Sequence, residues 1–218
     1  MAEIEILPGI VIEDPRPRAA THPYTFFLPR AEELAALKPG DGIKAIFSQT
    51  EGNPDYSAER MWVLIEGVEN GVVTGTLDNE PAGMDRIREG DPVRIPLSHA
   101  ISPIFHKNNV HPRLPPRREY WDRCFVDDCV LQGRSHVDYL YREEPDMTRE
   151  GDEFPDSGWR IRGTEEAVEE DRASEAKPHY VALGAVLNAD DRWLHLIDRE
   201  EGCAFQWDDE KCRFVELA

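Results

Sequence analysis

Between residues 106 and 119 the chain reads HKNNVHPRLPPRRE. Pro112, Pro115 and Pro116 remove backbone donors there and hold their neighbours extended. Regular structure is expected to stop at such a segment, so the chain reads in three parts. These are a β-rich domain over 1–106, a linker or long surface crossover over 107–119, and an α+β domain over 120–218. A length of 218 residues suits two small domains or one elongated one. Arg113, Arg117 and Arg118 make the crossover the one basic cluster of note. They can dock onto the acidic second half or form an external anion site.

The first half reads as β-rich with one short helix. In PRAEELAALK, Pro29 to Lys38, Leu34 and Leu37 lie three apart, acids occupy the early turns, and Pro39-Gly40 stops the helix. Ile43 to Phe47 follows as a strand. Met61 to Glu66 and Val72 to Leu77 then flank Asn70-Gly71, a pair suited to a type I′ hairpin. Trp62 alternates with its neighbours in this strand and is expected in the core. LKPGDGIKAIF around 37–47 and IREGDPVRIPL around 87–97 echo each other, each placing Gly-Asp before a short apolar strand. Such a turn lets the chain reverse into a barrel or curled sheet.

The second half mixes strands with acidic loops. Cys124 to Leu131 and Val137 to Tyr141 look like strands joined by the hairpin-length link Gln132 to Ser135. REEPDMTREGDEFPDSG, residues 142–158, is too polar for a core and too punctuated for a helix. Trp159 and Ile161 alternate with Arg160 and Arg162, as on a half-buried strand. Thr164 is placed to cap a helix over EEAVEEDRAS, with Glu165 and Glu166 in its first turn. HYVALGAVL, WLHLI, AFQW and CRFVEL supply further segments, and the fold class is α+β.

Charge narrows the choice of partners. The chain carries 25 Lys plus Arg against 44 Asp plus Glu, a net charge of −19. Residues 1–119 hold 18 acids and 13 bases, and 120–218 hold 26 and 12. An acidic surface repels nucleic acid and anionic membranes and attracts a basic protein, although acidity also serves solubility alone. No stretch approaches the roughly 20 apolar residues that cross a bilayer. The opening MAEIEILPG is acidic where a secretory signal is basic, so a cytoplasmic location is expected.

Sequence patterns for catalysis are weak. Cys124, Cys129, Cys203 and Cys212 are spaced C-x4-C and C-x8-C, a poor match to structural zinc, and buried free thiols fit them better. The seven histidines form no HExxH pair, and neither Ser135-His136 nor Ser157-Gly158 sits in a G-x-S-x-G elbow. No catalytic, cofactor-binding or metal-ligating residue is therefore assigned. Glu143, Glu144, Asp146, Asp152, Glu153 and Asp156 cluster in one segment, which reads as a solvated acidic face or a divalent-ion site. In Asp156-Ser157-Gly158-Trp159 the turn can fix the indole against a sheet. Arg142 beside the acidic loop can form an ion pair there. These residues either hold loops to the domain or touch a partner.

CVLQ, YLYREEPD at 139–146, DSGWRIRG at 156–163, LGAVLNADD at 183–191 and GCAFQW at 202–207 together resemble the immunity-protein family numbered thirty-three of bacterial polymorphic toxin systems. The resemblance covers roughly 120–218. Here MTREGDEF lengthens the segment between YREEPD and DSGW, and ASEAKPHY departs from the common pattern. ERMWV at 59–63, GTLDNEP at 75–81 and Gly90-Asp91 before Val93 are similar to a second small bacterial domain of unknown function. The first resemblance implies a non-enzymatic protein-binding module that neutralises a cognate toxin, and the acidic charge adds the expectation that the partner is a basic toxin domain met through complementary charge. The resemblance carries over Tyr141, Arg142, Glu143, Glu144, Asp156, Gly158 and Trp159 as characteristic positions. The alternatives are a small metal-dependent hydrolase using the acidic loop 143–156, and a structural or regulatory adaptor.

Overall fold

The computed structural model describes residues 4–49 and 58–217. The chain forms two compact units, Met1–Thr21 with Phe26–Pro116, and His22–Thr25 with Arg117–Ala218.

The first unit is a curled, nearly closed, barrel-like sheet. Its strands are β1 (Ile4–Leu7), β2 (Ile10–Ile12), β3 (Gly42–Gln49), β4 (Ala58–Glu69), β5 (Val72–Leu77), β6 (Pro92–Pro96) and β7 (Ser102–Ile104). They run in the order β1-β2-β3-β4-β5-β6, antiparallel throughout, with β7 also paired to β3. Two short helices, α1 (Arg16–Thr21) and α2 (Ala31–Ala36), precede β3. The Asn70-Gly71 turn has positive φ at both residues, 50° and 75°, as a type I′ turn requires. Along β4, Met61, Val63 and Ile65 point inward to meet Phe47, Val73, Leu77 and Ile95.

That alternation corrects the expectation for Trp62. Between two inward residues, the pleat turns Trp62 to the outer face, where the Lys44 ammonium lies 4.6 Å from the ring centroid. Neighbouring pattern residues hold the backbone. Glu59 accepts hydrogen bonds from the amides of Ala82, Gly83 and Met84, and Asn79 accepts one from the amide of Trp62.

The Gly-Asp echo is a structural repeat. Gly40 and Gly90 adopt φ of 89° and 87°. Asp41 accepts from the Lys38 amide and Asp91 from the Arg88 amide, both at 2.8 Å. The Gly40 amide donates to the Ile65 carbonyl and the Gly90 amide to the Leu77 carbonyl, again at 2.8 Å. In return the amides of Ile65 and Leu77 donate to the carbonyls of Asp41 and Asp91. Ile65 and Leu77 each follow a member of the central pair Leu64↔Thr76, so the two turns are related by a local twofold through that pair.

The second unit packs helices on one face of a mixed sheet. Its elements are β8 (Arg123–Val126), α3 (Asp128–Leu131), β9 (Tyr139–Arg142), β10 (Asp156–Arg162), α4 (Glu165–Ala173), β11 (His179–Ala182), α5 (Leu183–Ala189), β12 (Ala204–Asp208) and β13 (Arg213–Glu216). The order is β11-β8-β10-β9-β12-β13, with β8 and β10 parallel and the other neighbours antiparallel. Cys124, Val126, Leu140, Trp159, Ile161 and Phe205 form the covered face beneath Val130, Val168, Val186 and Leu187.

Three local expectations change. The strand proposed for Cys124 to Leu131 ends at Val126, because Asp127 accepts from Arg162 Nε and the Gly163 amide while the buried Asp171 accepts from the Cys129 amide, turning the chain into α3. Gln132 to Ser135 is not a hairpin, since β10 lies between β8 and β9. Finally, β10 is central and not half-buried, with every residue from Asp156 to Ile161 buried. Thr164 caps α4 as expected, its hydroxyl oxygen accepting from the Ala167 amide. The four cysteines are free thiols, and Cys124 and Cys129 lie in the core.

Candidate partner-docking site

The residues singled out by sequence meet at the start of β10. Gly158 adopts φ of 79°, and a Cβ there would lie 2.1 Å from the Glu143 carbonyl oxygen, so glycine permits β9 and β10 to approach. On one side the Ser157 hydroxyl donates to the Arg123 carbonyl and accepts from the Trp159 amide. On the other, Arg142 Nε donates to the Ser157 carbonyl at 2.9 Å, and its Nη1 donates to the Arg199 carbonyl at 2.7 Å. The Trp159 indole is fully buried, donates to the Ile197 carbonyl at 3.2 Å and stands 5.8 Å from Trp193. Arg142, Gly158 and Trp159 therefore brace the fold.

The acidic loop turns inward on one cation. Arg160, with 8% of its side chain exposed, contacts Asp156 at 2.9 Å, Asp146 at 3.0 Å, and Glu143. Asp156 also accepts from the Gly158 and Met147 amides. Burial by itself would raise the Asp156 pKa; the guanidinium and the amides outweigh it, and the net shift is downward. The same partners push Arg160 upward, with Asp156 contributing most. A carboxylate cluster that looked available for a divalent ion thus surrounds an arginine. Among the described residues, no group of three or more His, Cys, Asp or Glu side chains is placed to hold a metal. Glu144 remains exposed beside this network, as do Glu150, Asp152 and Glu153.

Tyr141 belongs to the sheet face opposite the helices. Register places Tyr139 and Tyr141 of β9 beside Arg162 and Arg160 of β10, and Phe125 of β8 beside Tyr180 of β11. The ring pairs Tyr139–Tyr141 and Phe125–Tyr180 are 5.6 and 5.0 Å apart, and the Arg160 guanidinium lies 5.1 Å from the Phe125 centroid. A cleft of about 530 Å³ opens over Phe125, Tyr141, Arg160 and Arg162. Arg162 pairs with Asp127 at its edge. Sequence reasoning missed Tyr139, Phe125 and Tyr180. Their alternation with core residues was the available signal, but the sheet order that groups them was not.

Such a face offers aromatic and guanidinium groups with little side-chain entropy to lose. Exposed Glu165 and Glu166 stand at the start of α4, and the acidic loop borders Arg160. No curated protein and no solved structure matches the chain. Two family models do: residues 124–218 match the Immunity protein Imm33 domain, and residues 31–110 match an uncharacterized protein conserved in bacteria (DUF2314).

Proposed function

We propose that the second unit is a non-enzymatic docking module which neutralises a basic toxin domain by occupying it. The observation that carries this reading is the uncovered Tyr139–Tyr141–Arg162 face in a region matching an immunity domain. Exposed carboxylates steer a basic partner and raise its encounter rate, while the tyrosines and Arg162 supply the short-range contacts that slow its departure. Glu143 and Asp156 hold the loop in place through Arg160, so the steering charges are chiefly Glu144, Glu150, Asp152 and Glu153. A metal-dependent hydrolase has less support, because Glu143, Asp146 and Asp156 already surround Arg160.

The test is affinity capture of the tagged full chain from its native bacterium, followed by binding kinetics on the captured protein. We expect a basic partner whose association rate falls as salt rises from about 50 to 300 mM, since screening shortens the reach of the steering charges. Tyr141→Ala should weaken binding at least about tenfold, chiefly by faster dissociation. Salt-independent association, or full affinity in the combined Tyr139→Ala/Tyr141→Ala variant, would overturn the proposal.

A further inference from the structure

The outer face of the first unit carries a second site of different character. A half-open hollow of about 410 Å³ is walled by Trp62, Leu64, Ile104 and Phe105. Leu64 and Ile104 are 43% and 55% exposed, unusual for large apolar side chains standing together. Gly42 forms part of the floor, and a Cβ there would come within 2.7 Å of Ile104 Cγ2, so the hollow exists because this position has no side chain.

Charge at the rim selects the occupant. Lys107 lines the hollow, and the Lys44 ammonium lies over the Trp62 ring that walls it. Among the described residues neither ammonium has a carboxylate within 4.0 Å, although arginines across the chain are paired with acids, as at Arg160, Arg134 and Arg192. Asp78 is the one carboxylate in the lining among the described residues; Asp41 behind it is buried and taken up by the amides of Lys38 and His106 and by Asn109, so the charge that the rim turns to solvent, Lys44 and Lys107 against Asp78, is positive at neutral pH. In a chain of net charge −19, two cations left open beside an apolar wall create a local preference for anions.

We propose that this hollow binds a small amphipathic carboxylate, its aromatic or branched apolar body against Trp62, Leu64 and Ile104 and its carboxylate toward Lys44 and Lys107. The volume falls within the range of small-molecule sites, roughly 300–1,000 Å³. Apolar burial supplies most of the binding, and the two ammonium groups set its sign preference.

Indole probes of matched shape and different charge test the assignment on the full chain. Indole-3-acetate, neutral indole-3-ethanol and cationic tryptamine are titrated by calorimetry and by two-dimensional amide NMR, with the Trp62 indole signal identified through Trp62→Phe. The expected order is anion, neutral, cation, with about tenfold between the extremes at low salt. Lys44→Gln/Lys107→Gln should erase that order, and Asp78→Asn should tighten the anion. Both sets lie on exposed or half-exposed positions, so amide spectra report folding independently. Absence of saturation for the anion below about 10 mM, equal affinity for tryptamine, or shifts confined to residues outside the hollow would each overturn the proposal.

Discussion

Replacing Arg160 by methionine keeps much of the side-chain length and removes the charge on which three carboxylates converge. Glu143 and Asp146 are substantially exposed and can return to water, but the Asp156 side chain has no exposed surface. Stranding that carboxylate should cost about 3–5 kcal/mol, the range for breaking one partner out of a buried ion pair. Asp156→Asn should cost less, about 1–2 kcal/mol, because Arg160 retains Glu143 and Asp146 while the single amide oxygen keeps the Gly158 amide and gives up the Met147 one. In the double variant the stranded charge is gone, so its loss should fall short of the sum by about 2 kcal/mol. Urea unfolding followed through the emission of Trp159 and Trp193, both fully buried in this unit, reads all four corners of the cycle. The Asp156 pKa is depressed in the fold, so its stabilisation is complete above about pH 4, its unfolded value, and is lost as pH falls through the native one. In Arg160→Met burial without the guanidinium raises the same carboxyl, so the wild-type advantage should begin to shrink above about pH 4, as the stranded group takes up a proton, and shrink further below it. A cost under about 1 kcal/mol at neutral pH, or additivity within about 0.5 kcal/mol, would refute the argument that Arg160 organises the loop.

Gly158→Ala should lose about 3 kcal/mol or more, combining a left-handed backbone with a contact against the Glu143 carbonyl, whereas Gly71→Ala, equally left-handed but unobstructed, should lose about 1 kcal/mol; chemical denaturation compares them. Burial lowers the His99 pKa, so the folded state resists its protonation and the first unit should be weakened as pH falls below about 6.5; amide exchange across pH 7 to 5 measures this, and His99→Leu should flatten the response. Thiol titration with an aromatic disulfide should label exposed Cys212 first, whereas Cys129, pushed up to about 12 mainly by burial, and Cys124 should react only on unfolding.

Local signals proved readable where a residue acts on its immediate neighbours. The Asn70-Gly71 turn, the Thr164 cap, the α2 helix and the paired Gly-Asp turns each depend on backbone groups a few positions away or on the next strand. What escaped was set by sheet order. Nothing within 120–142 announces that β10 inserts between β8 and β9, and that insertion buries Arg160, gathers the loop acids around it and brings Tyr139 and Tyr141 beside Arg162. For the same reason Asp156 and Glu143 looked like surface charge. Polarity alone does not distinguish an acid facing water from one facing a buried guanidinium, whether four residues away, as for Asp156, or seventeen, as for Glu143. Trp62 failed differently, since a strand with one wet face can carry an aromatic residue outward.

The local twofold through Leu64 and Thr76 has a consequence for how the first sheet finds its alignment. Sliding β3 against β4 by one pair would detach Ile65 from its clasp, and sliding β6 against β5 would detach Leu77 from the other, a clasp formed by a stretch fifty residues further on. Misalignment is thus penalised along both outer seams of the central hairpin, and a sheet whose outer surface is too apolar in places to enforce alignment by solvent exposure gains its uniqueness from backbone bonds instead.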